Sequence, residues 1–543
     1  MTVRQLSLRE QTALFRRLVG ALSGYLREPL DQARAHAQVQ TDVASRPDNL
    51  QRMISKGIFA VTASPYRALL EHAGVTAEDV AELVRREGVE GALEKLYDAG
   101  VYVSLDEFKG RKPILRGSLR LEITARDFDN PLTAAHIAAQ SGGSRSSGTR
   151  LAIDLAHNAR SAIYDLLLFE THGVLDRPYV IWQPTLPYGA GVNAVLRYAK
   201  FGHSAARWFT QNLAPTFGQS WQHGWLTHFL VLAAGWYGRP VPKPEYVPLA
   251  QAERIAACLA ELKARGTPAL VNTNASSGTR VCLAAKEYGL DIAGTMFRLG
   301  GEPLTPARAR AVASSGSRVV TIYGMGEIGR IGLPCAHADE VDDVHLLLDK
   351  LSVIRRSRSS RSGGPPVPVN VYTTLVSSTP KLMLNVESDD FGELCERSCG
   401  CLLDQLGFGL HLHTIRSHEK LTSEGMNFLG HDLIRLLEEV LPSRFQGAPT
   451  DFQFVEDETP DGLPEVRLLV SPRVGDVNQD EVAGAVIDFL NDLPGAGGAF
   501  GERWREGGTL RVLRREPYAT QASKVLALHT MKRKQERPGH GDL

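Results

Sequence analysis

The residues best able to do chemistry fall in a few short stretches. The densest is "SGGSRSSGTR" (Ser141 to Arg150), which packs four Ser, three Gly, one Thr and two Arg into ten residues. Such a run reads as a linker or as a loop that holds phosphate. Glycine lets backbone N–H groups approach an anion closely, and successive N–H groups can cradle it. The run lacks the Gly-Lys-Ser/Thr ending of a P-loop. Further along stand "RLGGEPLTPARAR" (298–310), "TIYGMGEIG" (321–329), "NVESDDFGEL" (385–394), "TIRSHEKLTSEGMNF" (414–428) and "PYATQASK" (517–524). Alone, each is a weak signal, because a Gly-Gly turn or a Tyr-Gly pair arises by chance in many proteins. The six cysteines, at 258, 282, 335, 395, 399 and 401, are not a disulfide scaffold in a chain this long. Their clustering matters more, with three in "CERSCGC".

These stretches need a framework to position them. The 543 residues are enough for two or more domains and a sizeable core. With 61 Lys+Arg against 61 Asp+Glu, the formal net charge is zero, which argues against nucleic-acid binding by overall basicity. Hydrophobic residues at 43% and charged residues at 22% fit a soluble globular protein. The apolar run "FLVLAAGWYG" (Phe229 to Gly238) is too short to span a bilayer. The start, "MTVRQLSLREQTALFRRL", is amphipathic and charged without a signal-peptide core. A cytoplasmic protein with no nucleic-acid and no membrane partner is therefore expected.

Residues 1–115 read as a helical region, with Thr76 as an N-cap, Asp79 three positions on, and Gly100 as a stop. From Arg116 the texture changes. "YVIWQPTLPYGAG", "TPALVNTNASSGTRV", "SRVVTIYGMGE" and "VPVNVYTTLV" read as short buried strands ending in turns, with helical stretches such as "LAQAERIAACLAELKARG" between them. That alternation predicts an α/β core with a largely parallel sheet over 116–415. "SSGTR" occurs at 146–150 and again at 276–280, which reads as coincidence of turn-forming residues. The basic "IRRSRSSRSGGPPVPV" (354–369) reads as a surface loop. Beyond a boundary near Arg416 come a turn, an amphipathic helix, strands "TDFQFVED" and "PEVRLLVSPRV", a helix "QDEVAGAVIDFLNDL" and a strand "GTLRVLRREP". This predicts a small α+β domain over 416–543.

Taken together and in this order, the six motif stretches resemble the adenylate-forming superfamily (acyl-CoA synthetases, NRPS adenylation domains, luciferases). The resemblance is strongest to its phenylacetate–CoA ligase and coenzyme F390 synthetase branch. It covers nearly the whole chain after residue 60, including "SPYRALLEHAG" (64–74) and "DEFKGRKPILRGS" (106–118). It implies an α/β fold: a large N-terminal adenylate-forming domain, with a helical N-terminal region and mixed α/β sheets, followed by a small mobile α+β C-terminal domain. It also implies ATP-dependent activation of a carboxylic acid to an acyl-AMP with release of pyrophosphate. That reaction brings anions together, so the protein must supply N–H groups, cations and a metal where charge develops.

Residue by residue, the resemblance implies that Ser141, Gly142, Ser146, Ser147, Gly148 and Thr149 wrap the ATP phosphates. Arg145 or Arg150 stands in for the lysine that usually ends this loop. Gly300, Gly301, Glu302 and Pro303 would line the adenine pocket, Tyr323 would stack on the ring, and Gly324 and Met325 would face the adenylate. Glu327 would help hold Mg²⁺, Asp390 (or Asp389) would grip the ribose hydroxyls, and Arg416 falls on the family's Gly-Arg motif. Glu419 falls at the hinge, and Lys524 matches the C-terminal catalytic lysine. The branch often carries a zinc set, which here would be Cys335, His345, Cys399 and Cys401, with Cys395 and His337 as competing ligands. Four N/S ligands suit a closed, structural tetrahedral site. The acid would lie between 185–209 and 271–280, where Tyr188, His203, Asn272 and Trp208 suit an aromatic substrate. The Trp- and His-rich segment 210–250 would reshape that pocket or mediate homodimerisation. Coenzyme A is the first acceptor in view. An amine, a hydroxyl, adenylyl transfer to a cofactor, and a noncatalytic binding protein on the same fold remain alternatives.

Overall fold

The structure is a computed structural model that describes residues 8–133, 137–140, 150–186, 189–212, 221–358, 367–388, 390–417, 420–423, 426–429, 433, 435–447, 451–459, 461, 463–492, 499–518 and 528–530. The chain divides into two compact units, a first ending at His418 and a second running from Glu419 to Leu543.

The first unit opens with six α-helices: α1 (Leu8–Arg27), α2 (Gln32–Ala44), α3 (Arg46–Arg52), α4 (Pro65–His72), α5 (Ala77–Asp98) and α6 (Leu105–Phe108). α5 starts where local chemistry requires. Thr76 and Asp79 form a reciprocal capping box that satisfies two orphan N–H groups of the first turn. Gly100, just past its end, has φ +87. Two antiparallel ribbons follow, β1 (Ile114–Arg116) with β2 (Leu119–Leu121), and β3 (Ile137–Gln140) with β4 (Arg150–Ile153).

The core of this unit is a six-stranded, wholly parallel sheet. Its strands are β5 (Tyr179–Trp182), β6 (Arg207–Thr210), β7 (Pro244–Tyr246), β8 (Leu270–Asn274), β9 (Met296–Gly300) and β10 (Arg318–Thr321), in the order β10-β9-β8-β5-β6-β7. Strands covered on both faces read as continuous apolar runs, and β5, "YVIW", is buried at every position. One face packs on α7 (Leu155–Thr171) and α8 (Ala190–Lys200), with α9 (Trp221–Trp236) in the same apolar cluster. The other carries α10 (Ala252–Ala264), α11 (Ala275–Glu287) and α12 (Pro306–Ala313). The second "SSGTR" copy is not a turn but the start of α11, with Ser276, Ser277, Gly278 and Thr279 buried. A Cβ on Gly278 would lie 2.7 Å from Leu299 Cδ2, so close packing of α11 on β9 selects glycine there.

Ile322 alone separates β10 from β11 (Tyr323–Met325), where the chain enters a five-stranded antiparallel sheet. That sheet also contains β12 (Gly329–Pro334), β13 (Val344–Leu346), β17 (Asp390–Glu396) and β18 (Leu410–Ser417), in the order β11-β12-β13-β18-β17. A three-stranded sheet, β14 (Leu351–Arg358), β15 (Val367–Thr374) and β16 (Val386–Glu387), shares its apolar cluster with α4 and α5. The short helix α13 (Leu402–Gln405) precedes β18.

The second unit begins with a hairpin, β19 (Lys420–Ser423) and β20 (Met426–Leu429). Its main sheet is β23-β22-β21-β24, made of β21 (Phe452–Glu458), β22 (Pro464–Val470), β23 (Leu510–Arg514) and β24 (Leu528–Thr530). β22 and β23 are parallel, so the connection between them crosses over through helices Gln479–Asp492 and Ala499–Gly507. Trp504, fully buried, packs edge-on against Phe454 of β21. The unit is α+β.

Candidate functional site

In a doubly wound parallel sheet, ligands bind beyond the carboxyl ends of the strands, where the strand order reverses. Here the reversal falls between β5 and β8, with β6 and β7 extending one way and β9 and β10 the other. Gln183, the first residue past β5, reaches across it and donates from Nε2 to Asn274 Oδ1 at 3.4 Å. Alongside, Thr210 Oγ1 and the Thr185 backbone N–H both donate to Asn212 Oδ1, at 2.8 and 2.9 Å. Gln211 Nε2 donates to Ser277 Oγ at 2.9 Å. The mouth of the sheet is therefore lined by carboxamides and hydroxyls already fixed by one another.

β9 delivers the Gly300–Pro303 turn to the same edge. Glu302 does not point outward. Its buried carboxylate accepts from the N–H and Oγ of Ser276, both at 2.9 Å, and from Arg308 Nη1 at 3.1 Å. A carboxylate at the first turn of α11 is stabilised by the helix dipole, so Glu302 locks α11, α12 and the β9 turn together.

One strand on, Tyr323 is buried and donates from Oη to Asp390 Oδ2 at 3.2 Å. Burial, with Tyr372 and Asp390 beside it, pushes the phenol well above its usual range, so it stays a donor. Arg416, opposite Phe391 in the β17–β18 register, is brought next to Asp390 by backbone pairing. Gly324 is exposed, and a Cβ there would lie 2.6 Å from Gly329 O, so the β11–β12 hairpin closes only over glycine. Glu327 sits in the turn of this hairpin, largely shielded, and pairs with Lys109 Nζ. The turn is held on two further sides: Lys381 N donates to Glu327 O at 3.0 Å, and Lys350 Nζ donates to Ile328 O at 2.8 Å. Burial pulls the Lys350 ammonium down to about 7.

Beneath the sheet mouth lies a buried charge cluster. Asp165 of α7, 2% exposed, takes Arg197 Nε at 2.6 Å, Arg298 Nη2 at 3.3 Å and Arg330 Nη2. Arg298 also donates to Asn272 Oδ1. Burial raises the Asp165 carboxyl, but Arg330, Arg298 and Arg197 more than offset it and hold the group well below the usual range. Burial pulls Arg330 down to about 9, with Asp165 pulling it back up.

A separate group joins the end of β12, β13 and the loop before α13. Cys335, His345, Cys399 and Cys401 place their ligand atoms within 4.8 Å of one another. Cys335 Sγ lies 3.5 Å from Cys399 Sγ, and His345 Nε2 lies 3.5 Å from Cys399 Sγ and 3.2 Å from Cys401 Sγ. Tetrahedral zinc with ordinary bond lengths needs S···S near ~3.8 Å and S···N near ~3.6 Å, so the spacing fits. His345 Nδ1 faces Phe408 O at 2.5 Å. This fixes the ring with Nε2 toward the thiols, as ligating histidines are usually held. Of the competing ligands, exposed His337 turns its Nδ1 to Cys399 O at 2.9 Å, and Cys395 is not in the group.

The structure thus brings together Tyr323, Asp390 and the backbone of Arg416, and separately the four metal-type ligands. Asn272 is buried, with its oxygen held by Arg298. His203 stands apart: it is exposed at the amino end of β6, near Tyr198, on the edge of the sheet opposite Gln183 and Asn274. Ser141, Gly142, Arg145, Ser146, Ser147, Gly148, Thr149, Tyr188, Asp389, Glu419 and Lys524 lie outside the described residues. β3 and β4 pair with Gln140 opposite Arg150. Sequence reasoning did not single out Asp165, Arg197, Arg330, Lys109, Lys350 and Gln183. For the first and third there was a signal: a lone charge inside an apolar run, "IYDLLLF" and "GRIGLP".

A helical start, a doubly covered parallel sheet, an antiparallel sheet entered directly from its last strand, and a following α+β unit make up the fold of the adenylate-forming ligases. In particular, the chain is similar in structure to 2-hydroxyisobutyryl-CoA ligase solved in complex with 2-HIB-AMP and CoA. That match has a TM-score of 0.51 and 13% identity, and covers 93% of this chain and 91% of that one. A mutant of the amide bond synthetase McbA from Marinactinospora thermotolerans aligns with a TM-score of 0.40 and 15% identity, over 91% of this chain and 93% of that one. No protein-family model and no curated protein matches the sequence.

Proposed function

We propose that the chain is an ATP-dependent, AMP-forming ligase. The observation that carries this reading is the Tyr323–Asp390 pair at 3.2 Å, one strand beyond the Gly300–Pro303 turn on an adenylate-forming fold. An aromatic ring beside a carboxylate suits a nucleoside, with the ring stacked and the diol accepted by Asp390. In the first half-reaction a carboxylate oxygen of the acid attacks the α-phosphorus, the bond from that phosphorus to the bridging oxygen breaks, and pyrophosphate leaves. Ser141–Thr149 hold the departing phosphates, Arg416 lies beside Asp390 to bind the nucleotide, and the Lys524 ammonium neutralises the carboxylate and α-phosphate as they meet. Mg²⁺ bound with ATP would be held by Glu327, a hard oxygen donor, and would neutralise phosphate charge. In the second half-reaction an acceptor nucleophile attacks the acyl carbonyl and AMP leaves.

We place the acid at the mouth between β5 and β8, with Tyr188 as an aromatic surface for an aryl acid and Gln183 and Asn274 for its polar substituents. Trp208 is left out, because it is buried in the core with its indole N–H on Gln183 O. His203 is left out on its position. Coenzyme A is the first acceptor to test, ahead of amines and hydroxyls. We assign Cys335, His345, Cys399 and Cys401 to a closed, structural zinc site. Its ion would tie the end of β12 and β13 to the loop before α13.

The deciding experiment is acid-dependent ATP–pyrophosphate exchange with a panel of aryl, hydroxy and alkyl acids, run with and without coenzyme A. Exchange with at least one acid is expected, and Lys524→Ala should suppress it in a folded protein. If no acid supports exchange, the fold serves a binding protein instead. If Lys524→Ala stays fully active, the lysine assignment fails. Metal analysis of protein purified without chelator should find about one zinc per chain. A content below about half would remove the zinc assignment.

A further inference from the structure

The Trp-rich helix α9 supplies none of the residues named above for the adenylating site. Its described side chains include no Lys, Arg, Asp or Glu, and one face is largely exposed, with His228 standing among the apolar positions. Trp236 is 88% exposed, Leu232 71% and Trp225 52%, and half-buried Phe229 completes the stripe. Positions 225, 229, 232 and 236 follow the 4-3-4 spacing of one helical face and run about 16 Å along the surface. Phe15 of α1 packs against this stripe, with ring centroids 5.3 Å from Trp225 and 4.9 Å from Phe229. Soluble surfaces rarely expose large apolar side chains in a row, and contiguous patches mark contact sites.

The charges around the stripe identify the partner. From Phe15 to Arg27, α1 carries three cations, Arg16, Arg17 and Arg27, all exposed, and no acid. Arg27 lies over the ring of Tyr237, next to Trp236, at 5.4 Å. The next acid along the chain is the exposed Glu28, so three arginines stand against one acid from Phe15 to Glu28. A two-fold contact with a second copy would set this patch against itself, arginines facing arginines, which disfavours self-association. Protruding indole and leucine side chains flanked by guanidiniums match the boundary between anionic headgroups and acyl chains. Tryptophan favours that boundary because one edge of its ring is apolar and the other polar.

We propose that the α1–α9 face docks peripherally on an anionic lipid surface. No helix among the described residues is long and apolar enough to cross a membrane, so α9 would lie on the surface rather than span it. The proposal is independent of the adenylating activity, because docking is measured without substrate.

The test is flotation of the full chain with phosphatidylcholine vesicles, with and without phosphatidylserine. The protein should float with the phosphatidylserine vesicles, at least roughly tenfold more tightly than with phosphatidylcholine alone. Removing Arg16 and Arg17 by Arg16→Ala and Arg17→Ala should weaken binding about fivefold each without touching the apolar stripe. Leu232→Ser with Trp236→Ser alters exposed positions, so the fold should survive by circular dichroism, and flotation should be lost. The proposal is overturned if the wild type ignores both vesicles, or if the serine variant floats undiminished. It is also overturned if light scattering shows a dimer that the serine variant turns into a monomer, which would make the face a self-interface.

Discussion

Replacing Asp165 by Asn removes the carboxylate shared by Arg197, Arg298 and Arg330 while keeping side-chain volume. At a separation near 3 Å and an effective dielectric of about 20, each pair carries roughly 5 kcal/mol of Coulomb attraction, most of it offset by desolvation. The net loss on breaking one buried pair is about 3–5 kcal/mol, because the partner cation stays buried and uncompensated. Three guanidiniums would lose their carboxylate at once, so the upper part of that range is expected. Against a typical total of about 5–15 kcal/mol, that is a third or more of the stability. Urea unfolding followed by circular dichroism should read it directly. Since the folded-state carboxyl is held below its unfolded value of about 3.9, its stabilisation is present above that pH and is lost as pH falls through the folded value. The gap between wild type and variant should therefore stay constant from neutrality to about pH 4 and narrow only in stronger acid. Adding Arg330→Met to Asp165→Asn should restore about 1–3 kcal/mol by removing one orphaned charge. A loss below about 1 kcal/mol for Asp165→Asn, or no recovery in the double variant, would mean that these arginines are neutralised by something other than Asp165.

Lys350, pulled down to about 7 by burial, sheds its proton in the folded state before the unfolded one, so the unfolded chain binds more protons between about 7 and 10. Wild-type stability should climb with pH through that window by up to about 1.4 kcal/mol per unit, and Lys350→Met should flatten the climb in melts at several pH values. Asp390→Asn, by weakening acceptance of a ribose diol, should raise the KM for ATP about tenfold with a smaller change in kcat; a fall in kcat alone would refute the ribose role. Cys401→Ser should lower zinc content below half of wild type and lower the melting temperature, whereas unchanged metal content would exclude Cys401 as a ligand.

Two kinds of feature were legible in the sequence. The first is local. Thr76 and Asp79 announce the start of α5 because capping is settled within four residues, and "YVIW" announces a buried parallel strand because both its faces need apolar side chains. The second is the order of short motifs: Tyr323 and Asp390, 67 residues apart, lie within hydrogen-bond reach. The four sulfur and nitrogen ligands from three separate segments lie within 4.8 Å. What escaped depends on tertiary packing. Charge counts cannot say which charges are buried, so Asp165 and its arginines stayed hidden inside apolar runs. "SSGTR" at 276–280 is composed of turn formers, yet packing on Leu299 and a capping contact to Glu302 make it a helix.

The same dependence explains α9, and there the misfit is informative. A predominantly apolar helix reads as buried, because in water each apolar side chain favours burial. Among the described residues, one side of α9 is covered by the helical layer over the central sheet, Phe15 of α1 packs on Trp225 and Phe229, and Leu232 and Trp236 remain outside. Packing among the described residues therefore accounts for the inner half of the pattern and, through Phe15, for part of Trp225, and leaves Leu232 and Trp236 without an intramolecular reason. α9 itself carries no Lys, Arg, Asp or Glu, and the charged residues of α1 from Phe15 to Arg27 are all cations. Where local pattern and tertiary environment disagree over the polarity of a surface, the missing term is a partner, and the sign of the flanking charge gives that partner's sign.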